Sequence, residues 1–291
     1  MSEEMQIQAQ KLEKQMKVFR QKLERSENNR AILEDVKDAN QRLLKKVNSE
    51  VEEARATIER QNEELITLYA ELGIEKQKSE DLLLNILPTK IADELKATGR
   101  VEAVYFESVT VIFTDIVGFT QMSKLLDEKR LVESLDDCFC AFDEIIKKHG
   151  LEKIKTIGDS YMCAGGLPEV NTTHPFDAVM AALEIQEAVA ERKRKKAVAG
   201  EFYWDIRLGI HTGPVTAGVV GKNKFAYDIW GTTVNTASRM ESSGAAGRVN
   251  ISGATYELVK DRFITEPRGK VQAKNMGEIE MYFVNGLKPG H

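Results

Sequence analysis

Two aspartates and an Asn/Arg pair are the residues of this chain best suited to phosphate chemistry. Asp115 stands where the apolar run Val109 to Phe113 gives way to a loop containing Gly118, and Asp159 follows Gly158 in a tight turn. If the strands that carry them are neighbours, the two carboxylates converge. They then offer hard oxygen ligands to Mg2+ or Mn2+, with phosphate oxygens and water completing the coordination. Taken singly, each aspartate also suits an ordinary turn or helix start. Asn235 and Arg239 are four residues apart in Thr233-Val234-Asn235-Thr236-Ala237-Ser238-Arg239, so a helix presents both on one face. An arginine there can stabilise charge on a transferring phosphoryl group, and an amide can orient a sugar. A solvent-facing Asn, with the Arg paired to Glu241 or another acid, is the plainer alternative.

The elements that must position these residues begin near Val101. Val109 to Phe113 has the composition of a buried strand, and Leu131, Leu135, Phe139, Phe142 and Ile146 recur at helical spacing before His149-Gly150 closes the helix. Glu152 to Ile157 and Tyr161 to Ala164 predict two strands around Gly158-Asp159. A helix is expected from about Phe176 to Lys196. Trp204 to His211 and Val215 to Val220 then predict a further hairpin turning at Gly213-Pro214, with His211 as a structural residue of the turn. This order points to an α+β sheet carrying helices, opened by a βαβ unit.

The first quarter of the chain is built differently. Residues 1–80 hold no proline and one glycine, Gly73, whereas the other 19 glycines and all six prolines lie beyond Glu80. Apolar residues keep one 3-4 stagger from Met5 through Leu12, Met16, Phe19 and Leu23 to Leu65, Leu68 and Leu72, the seam of a coiled coil. Ser26, Arg30, Lys37, Asn40 and Gln61 interrupt that seam, and such polar positions lower stability while fixing register. A parallel homodimer is the expected use, with a solvated single helix or one folded back on its own domain as the alternatives, and the seam alone does not set the orientation. Gly73 breaks the pattern and Pro88 stops the short apolar segment that follows.

A net charge of -5 gives no attractive field for nucleic acid, and the basic run Arg192 to Lys196 suits a solvated helix end. No stretch has the length and apolarity of a membrane segment or secretory signal. Three cysteines, Cys138, Cys140 and Cys163, make no paired framework, which fits reduced thiols in the cytoplasm.

The runs Phe113 to Thr120, Lys153 to Asp159 and Tyr227 to Arg239 together resemble the catalytic domain of class III nucleotide cyclases, a likeness extending over about Leu83 to Gly286. The resemblance implies a ferredoxin-like α+β domain. It implies two divalent metal ions, Mg2+ or Mn2+, held by Asp115, Asp159 and the backbone of Ile116, with Phe119 and Thr120 in the phosphate-facing loop. Asn235 and Arg239 would be catalytic as the ribose 3'-hydroxyl attacks the alpha phosphate. Lys155 and Asp228 would recognise the base. Adenine offers an acceptor at N1 and a donor at N6, complementary to ammonium and carboxylate, whereas guanine reverses both.

Related guanylyl cyclases usually carry Glu at the lysine position and Cys or another small residue at the aspartate position, so the resemblance implies ATP as substrate and cyclic AMP with pyrophosphate as products. Without the motif, Lys155 would simply be an exposed strand lysine beside Lys153. Lys274 matches the first lysine of the family's C-terminal Lys-Gly-Lys-Gly region and would hold the terminal phosphate, although Met276 replaces the second lysine. The family architecture implies head-to-tail homodimers in which Asp115 and Asp159 of one subunit meet Lys155, Asp228, Asn235 and Arg239 of the other.

Leu84-Asn85-Ile86-Leu87-Pro88 with Ile91, Ala92 and Leu95 resembles the connector ahead of many bacterial members. The expected division is a coiled coil over 1–72, a signalling connector over 73–100 and the catalytic domain over 101–291. An upstream sensor, and membrane association through it, are left open. The competing readings are a guanylyl cyclase and a catalytically silent nucleotide-binding signalling module.

Overall fold

The computed structural model describes residues 3–124, 127–198, 203–221, 225–274 and 276–290. Two compact units, Met1–Ser79 and Glu80–His291, divide the chain. Helix α1 runs from Glu3 to Leu84, 82 residues, or about 120 Å at 1.5 Å per residue. Its seam side chains are uncovered, Leu12 being 64% exposed, Phe19 70% and Leu68 64%. Gly73 does not end the helix. A single glycine costs about 1 kcal/mol relative to Ala, and the break comes instead after Leu84, ahead of Pro88, whose ring disfavours helix in the residue before it.

The second unit is an α+β sheet domain. Its helices are α2 (Thr89–Thr98), α3 (Phe119–Met122), α4 (Glu128–Lys148), α5 (His174–Val198), α6 (Thr232–Ser242) and α7 (Gly253–Val259). The strands are β1 (Val104–Ile116), β2 (Glu152–Ile157), β3 (Ser160–Gly165), β4 (Ile206–Val219), β5 (Tyr227–Trp230), β6 (Val249–Ser252), β7 (Phe263–Ala273) and β8 (Gly277–Leu287). They are ordered β2-β3-β1-β4-β6-β8-β7, with β5 paired to β4 off that path.

Alternation along β1 and β4 sends side chains to two cores. Ile112, Leu208 and Ile210 meet Phe142, Ile146 and Ile185 of α4 and α5 on one face. Val111, Phe113, Val215 and Ala217 meet Ile91 and Ala92 of α2, Ile229 of β5 and Ala237 of α6 on the other. The basic end of α5 is ion-paired at the surface, Lys193 to Asp205 and Arg194 to Glu187, each at 2.7 Å. No helix among the described residues is long and apolar enough to cross a membrane.

One sequence expectation fails here. Gly213-Pro214 is no hairpin turn but lies inside β4, an unbroken strand of 14 residues. Proline is tolerated because the register of β1 shifts between Phe106 and Val109, opposite Val215 and Gly213, so Pro214 faces a bulge that asks for no N–H. Its carbonyl accepts the Thr233 hydroxyl at 2.7 Å. The real reversal comes later, where Val219 pairs with Tyr227. His211 accordingly sits mid-strand, with Nδ1 2.7 Å from Ser252 Oγ. Burial lowers its imidazole to about 4, so it is neutral and structural.

Candidate active site

The antiparallel pairing of β1 with β3, Thr114 opposite Tyr161, brings the β2–β3 turn beside the end of β1. Gly158 takes φ 64°, a left-handed conformation that glycine adopts without strain, and Asp159 follows it. The Asp115 carboxylate accepts Ser160 Oγ at 2.9 Å and Arg207 Nη2 at 2.6 Å. Arg207 lies directly across the ladder from Asp115. Its Nε donates to Glu241 Oε1 at 2.8 Å, tying the end of α6 to the same guanidinium.

These acids crowd one another. The Asp159 carboxyl is raised first by burial and then by the charge of Asp115, while backbone N–H groups, including that of Ile116, oppose the shift. Glu241 is pushed up to about 7 by burial and by Asp115, against the pull of Arg207. Two hard oxygen donors that repel each other are a donor set a divalent cation relieves. Among the described residues no set of three or more His, Cys, Asp or Glu side chains is arranged to hold a metal. Any ion on Asp115 and Asp159 therefore takes further ligands from backbone, phosphate or water. The Ile116 side chain is buried in the first core, so only its backbone faces this site.

The loop after β1 turns at Gly118, with φ 76°. Phe119 packs its ring against the first core and Thr120 is exposed. Lys155 of β2 reaches Asp228 of β5, 73 positions later, with Nζ 2.5 Å from Oδ2. Asp228 Oδ1 also accepts the Ile229 N–H at 2.9 Å. The neighbouring Lys153 goes elsewhere, to Asp143 at 2.8 Å.

On α6, Thr236, Ala237 and Met240 are buried, which leaves Asn235 exposed and Arg239 half-buried on the open side. Arg239 has no ion-pair partner among the described residues, because Glu241 is committed to Arg207. Gly209 sets the height of this helix, since a Cβ there would stand 1.8 Å from the Glu241 backbone nitrogen. Lys274 is exposed in the β7–β8 turn. That turn lies against α6: Ala273 clusters with Met240, and Thr236 Oγ1 is 3.9 Å from Met276 Sδ.

The structure thus brings Asp115 to Asp159, Lys155 to Asp228, and the Lys274 turn to the helix of Asn235 and Arg239. No hydrogen bond or ion pair among the described residues joins Asp115 or Asp159 to Lys155 or Asp228. Arg207, Glu241 and Ser160 are absent from the sequence-based set. Arg207 was detectable, as a charge that shares one face of an otherwise apolar strand with Gly209 and His211.

A family model described as the adenylate and guanylate cyclase catalytic domain matches residues 101–286. The chain is 39% identical over 220 residues to an adenylate cyclase of Mycobacterium tuberculosis, a match covering 75% of this chain and 49% of that protein. It therefore spans about half the length of this curated relative. The guanylate cyclase domain of RhGC from Catenaria anguillulae, solved in complex with GTP, is 39% identical with a TM-score of 0.60, covering 64% of this chain and all 100% of that one. The adenylyl cyclase CyaB from P. aeruginosa is 29% identical with a TM-score of 0.61, covering 65% and 99%.

Proposed function

Because the chain belongs to the class III nucleotide cyclases, the family of adenylate and guanylate cyclase catalytic domains, we propose that it is an adenylyl cyclase that converts ATP to 3',5'-cyclic AMP and pyrophosphate. The observation that carries this choice over GTP is the Lys155–Asp228 pair, an ammonium and a carboxylate 2.5 Å apart. Lys155 donates to adenine N1 and Asp228 accepts from the N6 amino group, whereas guanine presents a donor and an acceptor in the opposite places.

Asn235 orients the ribose, and Arg239, which has no ion-pair partner among the described residues, neutralises charge gathering on the alpha phosphate. The bond from the 3'-oxygen to the alpha phosphorus forms, the bond to pyrophosphate breaks, and the hydroxyl proton leaves to solvent. Asp115 and Asp159, with the backbone of Ile116, would hold two divalent ions, Mg2+ or Mn2+, whose chemistry is to acidify the 3'-hydroxyl and neutralise the triphosphate. The backbone around Phe119 and Thr120 lies toward the phosphates, and Lys274 meets the terminal one.

The site is shared between two copies of the chain, metal-binding acids from one and Lys155, Asp228, Asn235 and Arg239 from its mate. Uncovered apolar side chains beside the base-reading pair support this, Ile157 at 52% exposure and Trp230 at 40%. The bare seam of α1 supports a parallel coiled coil over 1–72 that holds two catalytic domains, residues 101–291, at high effective concentration. Residues 73–100 then act as a connector for an upstream sensor. Free cysteines at 138, 140 and 163 suit a cytoplasmic setting.

The test is product analysis with purified protein, Mn2+ or Mg2+, and either ATP or GTP. Cyclic AMP and pyrophosphate should appear in equal amounts, with kcat/KM for ATP exceeding that for GTP by about 10²-fold or more. A preference for GTP would reject the base assignment, and no cyclic product from either would reject the enzyme.

A further inference from the structure

A row of hydrogen-bonding groups that the proposed chemistry does not use runs through the core. His174, at the start of α5, has Nδ1 2.8 Å from Thr110 Oγ1. Thr110 Oγ1 lies 2.9 Å from Thr212 Oγ1, which lies 3.1 Å from Thr255 Oγ1. Thr255 Oγ1 is 3.2 Å from Ser252 Oγ, and Ser252 Oγ is 2.7 Å from His211 Nδ1. The four hydroxyl residues are all buried. This row crosses the sheet. Thr110 and Thr212 stand two positions from Ile112 and Ile210, on the face packed against α4 and α5. His211 shares the opposite face with Gly209, where an added Cβ would meet the α6 backbone. Ser252, the N-cap of α7, and Thr255 in its first turn make the passage between the faces.

Counting protons constrains the two ends. Five hydrogen bonds link Nδ1 of one ring to Nδ1 of the other, and the four hydroxyls supply one hydrogen each. One imidazole must therefore donate through Nδ1. Two donating rings would leave a buried hydroxyl hydrogen without an acceptor. Burial lowers both rings, His174 against the charge of Asp177 and His211 to about 4, so each is neutral near pH 7 and carries a single N–H. The outer nitrogens decide the direction. Ser108 Oγ lies 3.4 Å from His174 Nε2, whereas His211 Nε2 makes no hydrogen bond among the described residues. A proton on His174 Nε2 thus has an acceptor in the protein, and one on His211 Nε2 does not.

We propose that His211 and His174 form one proton-coupled unit across the sheet, in which His211 donates from Nδ1, each hydroxyl donates onward, and His174 accepts at Nδ1 with its own proton on Nε2. Neither ring changes tautomer alone. Reversal takes up one proton at His211 Nε2, passes each of the five hydrogens to the next acceptor, and releases one proton from His174 Nε2, so one proton crosses the sheet for each reversal. None of this rests on ATP as the substrate.

The test is nitrogen NMR of the full chain labelled with 15N-histidine, at about pH 7.5, where neutral rings show one N–H and one bare nitrogen. The chain has four histidines, and His174→Gln and His211→Gln identify the two signals. The proton should sit on Nδ1 in His211 and on Nε2 in His174. Thr212→Val cuts the row. Thr255 then finds its acceptor in Ser252, Ser252 donates to His211 Nδ1, and the His211 proton should move to Nε2 although the substituted residue does not touch that ring. Thr212→Ser keeps the hydroxyl and should keep the parent tautomers, a result that lost packing alone would not give. Thr255→Val breaks the row one place further on and should move the His211 proton in the same way. If neither valine variant folds, the parent spectrum decides. Any other pair of tautomers in the parent, or a His211 proton that stays on Nδ1 in a folded valine variant, would overturn the proposal.

Discussion

Adding one methyl group at Gly209 tests whether α6 carries catalytic residues. In a Gly209→Ala variant the new Cβ would stand 1.8 Å from the Glu241 nitrogen and 2.4 Å from both Glu241 Cα and the Met240 carbonyl carbon. All three are backbone atoms of α6, so no rotamer change relieves the clash. Carbon contacts are comfortable at about 3.5 Å, which requires the helix to retreat by roughly 1.5 Å. Arg239, two residues earlier, moves with it, and the Arg207–Glu241 bond stretches. Misplacing a reacting group by about 1 Å costs on the order of 10²-fold in rate, and overpacking a core costs about 1–3 kcal/mol. The expected outcome is a folded protein, less stable by that amount in urea, with kcat for cyclic AMP formation lowered about 10²-fold. Gly73→Ala is the control, because a Cβ there has nothing within 4 Å. A folded Gly209→Ala enzyme with kcat within about 3-fold of the parent would mean that the placement of α6 does not govern catalysis.

Three further outcomes are expected. Asp115→Ala and Asn235→Ala should each be inactive alone, but co-expressed in equal amounts they should recover about a quarter of the parent activity, since half of a two-fold population is mixed and each mixed dimer keeps one intact site of two; no recovery despite demonstrated heterodimers would exclude a shared site. Lys155→Glu combined with Asp228→Cys should move the ATP/GTP ratio of kcat/KM toward GTP by about 10²-fold or more, and an unchanged ratio would reject base reading by this pair. His211 is held near 4 in the native state against 6.5 for the ordinary group, so the unfolded chain binds the extra proton and stability falls as pH drops from about 6.5 to 4, by about 1.4 kcal/mol per unit within that window. Denaturant unfolding of the parent and His211→Asn should diverge by that slope below about pH 6.5, and parallel curves would refute the assignment.

The sequence exposes local signals and hides those that need a partner strand. Gly158-Asp159 marks its own turn, and the spacing of Asn235 and Arg239 describes its own helix, so both were legible. Gly213-Pro214 carries the same kind of turn signal, yet a bulge in β1 about a hundred positions earlier lets the strand run through it. Arg207 and Glu241 acquire their roles only from the register that sets Arg207 opposite Asp115 and from the contact of α6 with Gly209. Lys155 and Asp228 could be joined from sequence only through the family resemblance, because nothing local relates residues 73 positions apart.

The two kinds of ion pair also suit different tasks. Lys155 is 41% exposed and Asp228 19%, and a pair that open to water contributes about 0–1 kcal/mol. Under the proposed base reading, exchanging it for the edge of a purine would therefore cost little, and specificity would come from the groups a wrong base leaves unpaired. Glu241 is only 10% exposed and Arg207 30%, so this pair is better shielded from water than the first. That pair suits scaffolding, holding α6 against β4, whereas the looser one is the pair that the proposed base reading needs to open.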